Sequence, residues 1–167
     1  SVIPLFVSQI KSGRPLTITD KNMTRFMISI EESVELVEFA FMNARPGDIF
    51  VQKAPAATIL TIAEALLRLF NASNEIQYIG TRHGEKLYET LLNKEEMQNA
   101  EDLGKYYRVP ADIRDLNYAR YFTKGKVSTN ADDYNSHNTE RLDLDGMVKV
   151  LSKLNYIQQE LKSYEEN

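Results

Sequence analysis

DIFVQKAPAATILTIAEALLRLFNASNEIQYIG, residues 48–80, decides the fold class. DIFVQKA reads as a strand bounded by turn residues, and EIQYIG reads as a second. Between them PAATILTIAEALLRLFN places Ile62, Ala65, Leu66 and Leu69 on one face of a helix. A strand, a helix and a strand in that order predict an α/β domain.

The flanking sequence agrees. IPLFVSQIKSG carries Ile3, Phe6, Val7 and Ile10 at helical spacing, with Pro4 suited to a first turn and Gly13 as a stop. PLTITD and RFMISI read as two short strands joined by the turn residues KNMT. Ser29 followed by Glu32 is a capping box, and Ile30, Val34, Val37 and Phe41 recur behind it as the apolar stripe of a helix that RPGD ends. Beyond residue 92 polarity rises. NKEEMQNAEDLG predicts a short helix and KYYRVP a strand. Residues 123–141 show no periodicity and read as a loop or arm, and residues 142–167 form a terminal helical segment with Met147, Val150, Leu151 and Leu154 on one face.

The chain has 167 residues, 43% hydrophobic and 26% charged, which is ample for one globular core. A net charge of −4 and a pI near 5.3 argue against a bulk electrostatic grip on nucleic acid or an acidic membrane, so any bound anion must be met by local cations. No cysteine is present, which excludes disulfides and thiolate metal sites. No apolar run reaches the roughly 18 residues of a membrane span, and SVIPLFVSQIKSG lacks a signal-peptide pattern, so a cytoplasmic protein is expected. The chain opens on Ser1 and runs straight into apolar sequence, which predicts the interior of a larger protein.

Candidate chemistry gathers in GTRHGEKLYETL, residues 80–91. Gly80 and Gly84 let the backbone bend sharply, and Arg82 can fork two donors onto a phosphate. Glu85, an acceptor-only carboxylate, suits the paired hydroxyls of a sugar. A solvated turn opening a helix explains the same residues. His83 lacks a nucleophile or acid placed by spacing and reads as a packing or hydrogen-bonding residue. Arg25, among apolar neighbours in NMTRF, calls for a partner, either a ligand or an acid such as Asp20. Arg108, Asp112, Arg114 and Asp115 read as a structural ion-pair cluster or a partner surface. His83 and His137 do not have metal-ligand spacing. Neither G-x-G-x-x-G nor G-x-x-x-x-G-K-[ST] occurs, and there is no nucleophile elbow or zincin motif.

SVIPLF, LTITDKNMTRFMIS, DIFVQKAPAATI, GTRHGEKLYETLL, YYRVPADIRDLNY and NSHNTERL, taken in that order, resemble the C-terminal half of bacterial polysaccharide-biosynthesis dehydratases. These are UDP-N-acetylglucosamine 4,6-dehydratases that also invert C5, within the extended short-chain dehydrogenase/reductase superfamily, and YNSHNTERL is similar to the capsule and O-antigen branch. The resemblance implies the substrate-binding C-terminal portion of that fold over residues 1–167, with short strands and packed helices and without the Rossmann half. In that family hydride passes from C4 to NADP, water is lost across C5 and C6, and hydride returns to C6. The glycine-rich loop and the Tyr-x-x-x-Lys pair for this are missing here, so no catalytic residue is expected on this chain, and NADP or NAD is expected on the missing N-terminal half.

What carries over is a UDP-sugar cradle. The resemblance implies that Val2, Ile3 and Pro4, with the strand that holds Thr17 and Thr19, flank the uracil. It places Arg25 and Arg82 at the pyrophosphate and Glu85 at the ribose hydroxyls. His83 stands where relatives often have proline. NSHNTERL is similar to an arm that latches across subunits, which implies a homo-oligomer, with a UDP-sugar and the Rossmann domain as the other partners. A stand-alone binding or oligomerisation module, or part of a UDP-sugar 4-epimerase, are the alternatives.

Overall fold

A computed structural model describes residues 2–81, 83–111 and 132–166. It opens on helix α1 (Val2–Lys11), whose buried face is Phe6, Val7, Gln9 and Ile10. The strands β1 (Leu16–Ile18) and β2 (Thr24–Phe26) follow, then α2 (Ile30–Asn43), β3 (Ile49–Gln52), β4 (Ala56–Thr58), α3 (Ile59–Leu69) and β5 (Ile76–Tyr78). After these come β6 (Thr90–Leu92), α4 (Lys94–Asn99), β7 (Glu101–Asp102), β8 (Tyr106–Val109), β9 (Tyr134–Asn135), α5 (Leu144–Ser152) and α6 (Asn155–Glu165). The architecture is α/β, with short strands and packed helices, as the alternation predicts.

Pairing departs from chain order. The strands β1 and β2, adjacent in sequence, do not pair with each other. Instead β1 lies parallel to β5, with Thr17 opposite Gln77, while β2 runs antiparallel to β4, with Arg25 opposite Ala57. A three-stranded sheet orders β3, β8 and β7, and β6 pairs with β9. Strands of two to four residues cannot stand alone, and helices bury them. Phe6, Val7, Ile10, Leu16, Ile18, Ile62, Leu66, Met147, Leu151 and Ile157 form one core, in which α3 packs on α1 and α5. Ala63 and Ala65, fully buried on α3, keep that packing close. A second, smaller core joins Leu92, Val109 and Tyr134.

Local signals explain the helix ends. Ser29 accepts from the Glu32 amide at 3.1 Å and the Glu32 carboxylate accepts from the Ser29 amide at 2.8 Å, the reciprocal cap read from the sequence. Asn93 and Glu96 repeat the device on α4. The terminal segment is two helices rather than one: Leu154 is extended between α5 and α6, and Gln158 Nε2 donates to the freed Ser152 carbonyl at 3.0 Å.

The stripe that suggests a buried face for α2 points outward. Ile30 is 80% exposed, Val37 62% and Phe41 91%, whereas Leu36, Phe39 and Ala40 are half-buried. Phe39 stacks on Tyr106 at 4.5 Å and meets Phe50 edge-on at 5.6 Å. The helix is thus apolar on two sides, and only one is covered among the described residues.

The described part of the 123–141 arm packs in cis. Residue β9 Tyr134 donates to the Ala54 carbonyl at 3.2 Å and accepts from the Ala54 amide at 2.9 Å, and the Ala56 amide donates to the Glu140 carbonyl at 2.8 Å. Among the described residues no helix is long and apolar enough to cross a membrane.

Candidate functional site

Strand alternation builds the site's first wall. Leu16 and Ile18 are fully buried in the core, so Thr17 and Thr19 point the opposite way. They open on a cleft of about 1000 Å³, within the usual range for a small-molecule site. The first turn of α1 supplies the second wall through Val2, Ile3 and Leu5. Pro4, expected beside the uracil, is exposed and is not among the residues that line the cleft. At roughly 100° per residue, Pro4 lies on the far side of a turn whose residues 2, 3 and 5 share one side. Arg25 and Phe26 of β2, Ile79, Glu85 and, from the start of α2, Ser29, Glu31 and Glu32 line the mouth, and Met147 and Leu151 of α5 reach it from the core.

The polar groups are held from behind. Gln9, 6% exposed on the core face of α1, donates through Nε2 to the Thr17 hydroxyl at 2.9 Å and accepts from the Thr17 amide at 3.2 Å. Thr19 donates its hydroxyl toward Glu85 Oε1 at 3.4 Å, which ties the strand to the carboxylate across the cleft. Arg25 donates from Nη1 to the Thr24 carbonyl at 2.7 Å and from Nη2 to the Lys86 carbonyl at 3.0 Å. Its acidic neighbour is Glu89, at 3.7 Å, rather than Asp20, which instead accepts from the Asn22 amide. Two neutral acceptors therefore aim the guanidinium and leave donor capacity for an anion.

Arg82 lies outside the described residues. On either side of it Gly80 and Gly84 have φ of 79° and 82°, the left-handed backbone that glycine adopts without strain, so the sharp bend read from the sequence is present. His83 is exposed. The structure thus brings Val2, Thr17, Thr19, Arg25 and Glu85 to one cleft from four separate segments. Sequence reasoning missed Gln9 and Glu89. For Gln9 a signal existed, an amide on the face that also presents Phe6 and Ile10.

Arg108 serves elsewhere. It donates to Asp48 at 2.8 Å and Glu101 at 2.9 Å, binding β8 to β3 and β7, and it holds the Asp48 carboxyl below its ordinary range. Asp112, Arg114 and Asp115 lie outside the described residues. Among the described residues no three acidic or His side chains converge as a cation site. The sequence has no G-x-G-x-x-G, and among the described residues the left-handed glycines, at 13, 47, 80, 84 and 104, are too dispersed to form a dinucleotide cradle.

Residues 1–111 match the family model described as polysaccharide biosynthesis protein, and residues 112–158 match the one described as polysaccharide biosynthesis protein C-terminal. A protein of Rickettsia canadensis (strain McKiel) named UDP-glucose 4-epimerase is 57% identical over 164 residues, 98% of this chain and 48% of that protein. Its namesake in Rickettsia felis is 56% identical over the same shares. The chain spans about half the length of the curated relatives it matches. Among solved structures, that of Pen from Bacillus thuringiensis superposes with a TM-score of 0.74 at 26% identity, covering 92% of this chain and 45% of that one.

Proposed function

The chain belongs to the polysaccharide biosynthesis protein family, and from that premise we propose that it is the UDP-sugar-holding portion of a nucleotide-sugar enzyme. The observation that carries this reading is the convergence of Val2, Thr17, Thr19, Arg25 and Glu85 on one cleft. Apolar Val2 and Ile3 offer a surface for the uracil, against Thr17 and Thr19, whose hydroxyls supply polar contacts at its edge. Glu85 accepts from the ribose hydroxyls, and Arg25, with Arg82, meets the diphosphate. An acidic chain needs such local cations to bind an anion at all. Pro4 has no part in this version of the cradle.

Holding the nucleotide fixes the hexose in register with chemistry supplied elsewhere. Binding energy remote from the reacting carbons is spent on orientation. This chain supplies the grip and no catalytic residue; the NADP or NAD that such chemistry uses is assigned to a different part of the intact protein. The whole protein's reaction is proposed as UDP-N-acetylglucosamine 4,6-dehydration with C5 inversion, in bacterial surface-polysaccharide synthesis in the cytoplasm. The relatives' printed name favours a second reading, UDP-sugar 4-epimerisation, in which the same cradle serves. Product analysis separates them. Incubated with UDP-N-acetylglucosamine in deuterated water, a dehydratase yields a product lighter by one water, with deuterium at C5. An epimerase yields an isomer of unchanged composition.

The cradle itself is tested by calorimetry with UDP and 2′-deoxy-UDP. UDP is expected to bind more tightly than its deoxy analogue, and Glu85→Ala is expected to erase the difference. Equal binding of both nucleotides by the unsubstituted chain would remove Glu85 from the ribose site. Failure of UDP to bind would reject the cradle, and a chain that serves only as an oligomerisation module would then be the better reading.

A further inference from the structure

Three segments distant in sequence meet behind Arg25, and a buried serine joins them. Ser136, fully buried, accepts from the Glu89 amide at 3.0 Å, and its own amide donates to the Glu89 carbonyl at 2.9 Å. Its hydroxyl lies 2.7 Å from that of Thr24, also fully buried, and 3.3 Å from the Thr24 carbonyl. Thr24 Oγ1 is in turn 2.9 Å from His137 Nδ1, and the His137 ring stacks on Tyr88 at 4.8 Å. The Glu89 amide donates to Ser136, and hydrogen bonds continue from Ser136 to Thr24 and from Thr24 to His137 Nδ1, so the four groups form one connected chain.

Every acceptor that aims Arg25 belongs to this knot. The Thr24 carbonyl takes the guanidinium's Nη1 and the Lys86 carbonyl takes Nη2, while the Thr24 amide donates to the Leu87 carbonyl at 2.9 Å. Glu89, the arginine's acidic neighbour, is pinned through both its amide and its carbonyl to Ser136. Loss of the Ser136 hydroxyl leaves a half-buried amide and a buried hydroxyl without this partner and frees residues 86–89 to shift. The two carbonyls and the carboxylate around Arg25 would then lose their fixed spacing.

We propose that Ser136, acting through Thr24 and the 86–89 segment, is a positioning residue that fixes Arg25 for the diphosphate of the bound nucleotide. The proposal rests on the UDP reading above and adds a role for the arm within its own chain. Arg25 meets phosphate and not uracil, so the effect of Ser136 belongs to the phosphate-bearing part of the ligand alone.

The test titrates the 167-residue chain with UDP and with uridine, followed by ligand-observed NMR, in the unsubstituted form and in Ser136→Ala, Thr24→Val and Thr24→Ser. UDP binding should weaken about tenfold in Ser136→Ala and in Thr24→Val, uridine binding should be unchanged, and Thr24→Ser, which keeps the hydroxyl, should bind UDP normally. Equal weakening of UDP and uridine would reduce Ser136 to a packing role and overturn the proposal, as would unchanged UDP binding. Should Ser136→Ala fail to fold, the Thr24→Val and Thr24→Ser pair carries the same comparison. If the unsubstituted chain binds neither ligand, the UDP reading fails first and this role goes with it.

Discussion

Arg25 owes its usefulness to what already holds it. Two backbone carbonyls take one donor each, so the side chain loses little freedom when an anion arrives. Lysine offers the charge without the fork. Arg25→Lys should therefore weaken UDP binding by roughly 1.5–3 kcal/mol while leaving the thermal midpoint within a few degrees, readable by calorimetry and a melting curve. Gln9 behaves differently, because its amide serves the fold as well as the cleft. Gln9→Leu strands the Thr17 amide and hydroxyl and should cost about 1–3 kcal/mol in urea unfolding. Asp48 supplies a pH dependence. The Arg108 hydrogen bond first, and the Arg45 amide second, depress its carboxyl below the ordinary 3.8. A depressed carboxyl contributes stability that is present above its unfolded pKa and is lost as pH falls through the folded value. Asp48→Asn should thus destabilise the protein at neutral pH, with the gap from the unsubstituted chain closing below about pH 4, as urea midpoints would show. That Thr17, Thr19, Arg25 and Glu85 share one cleft was expected from the resemblance, and for Arg25 and Glu85 also from residue type. The partners that aim them were not, since Gln9, Glu89 and Ser136 act through contacts set only by the tertiary fold.

Helix α2 separates what periodicity can tell from what it cannot. Its capping box and its end are local, so Ser29, Glu32 and the RPGD stop could be read directly. Which apolar side faces inward is not local. The stripe at 30, 34, 37 and 41 satisfies helical spacing as well as Leu36, Phe39 and Ala40 do, and only the β3 and β8 surface selects the second set. Phe39→Ala should accordingly destabilise the chain by about 2–3 kcal/mol, whereas Phe41→Ala should stay within about 0.5 kcal/mol. The strands follow the same logic. Their existence at 16–18 and 76–78 was visible from β-rich sequence, but the parallel pairing of β1 with β5 depends on α3 bringing them together. The strands β4, β6, β7 and β9, two or three residues long, carry too little pattern to be found without their partners.

For the molecule as a whole, the outward seam of α2 matters most. An apolar stripe left open among the described residues marks a contact surface or a site of self-association. Glu31 and Glu38 flank it, so a symmetric contact between copies would bring like charges together. Association is therefore expected to be weak: light scattering on the chain should show a rise in mass with concentration that steepens at high salt, and Val37→Glu should abolish it. A strict monomer at all concentrations would contradict this. The central claim concerns the cleft that helix α1, strands β1 and β2, the first turn of α2 and the loop at Glu85 line together. A crystal structure of the chain soaked with UDP tests it most directly. The account predicts uracil against Val2 and Ile3, ribose hydroxyls on Glu85 and the diphosphate at Arg25; UDP bound with its diphosphate away from Arg25, or found only in the separate hollow beside Lys53 and Tyr107, would contradict it.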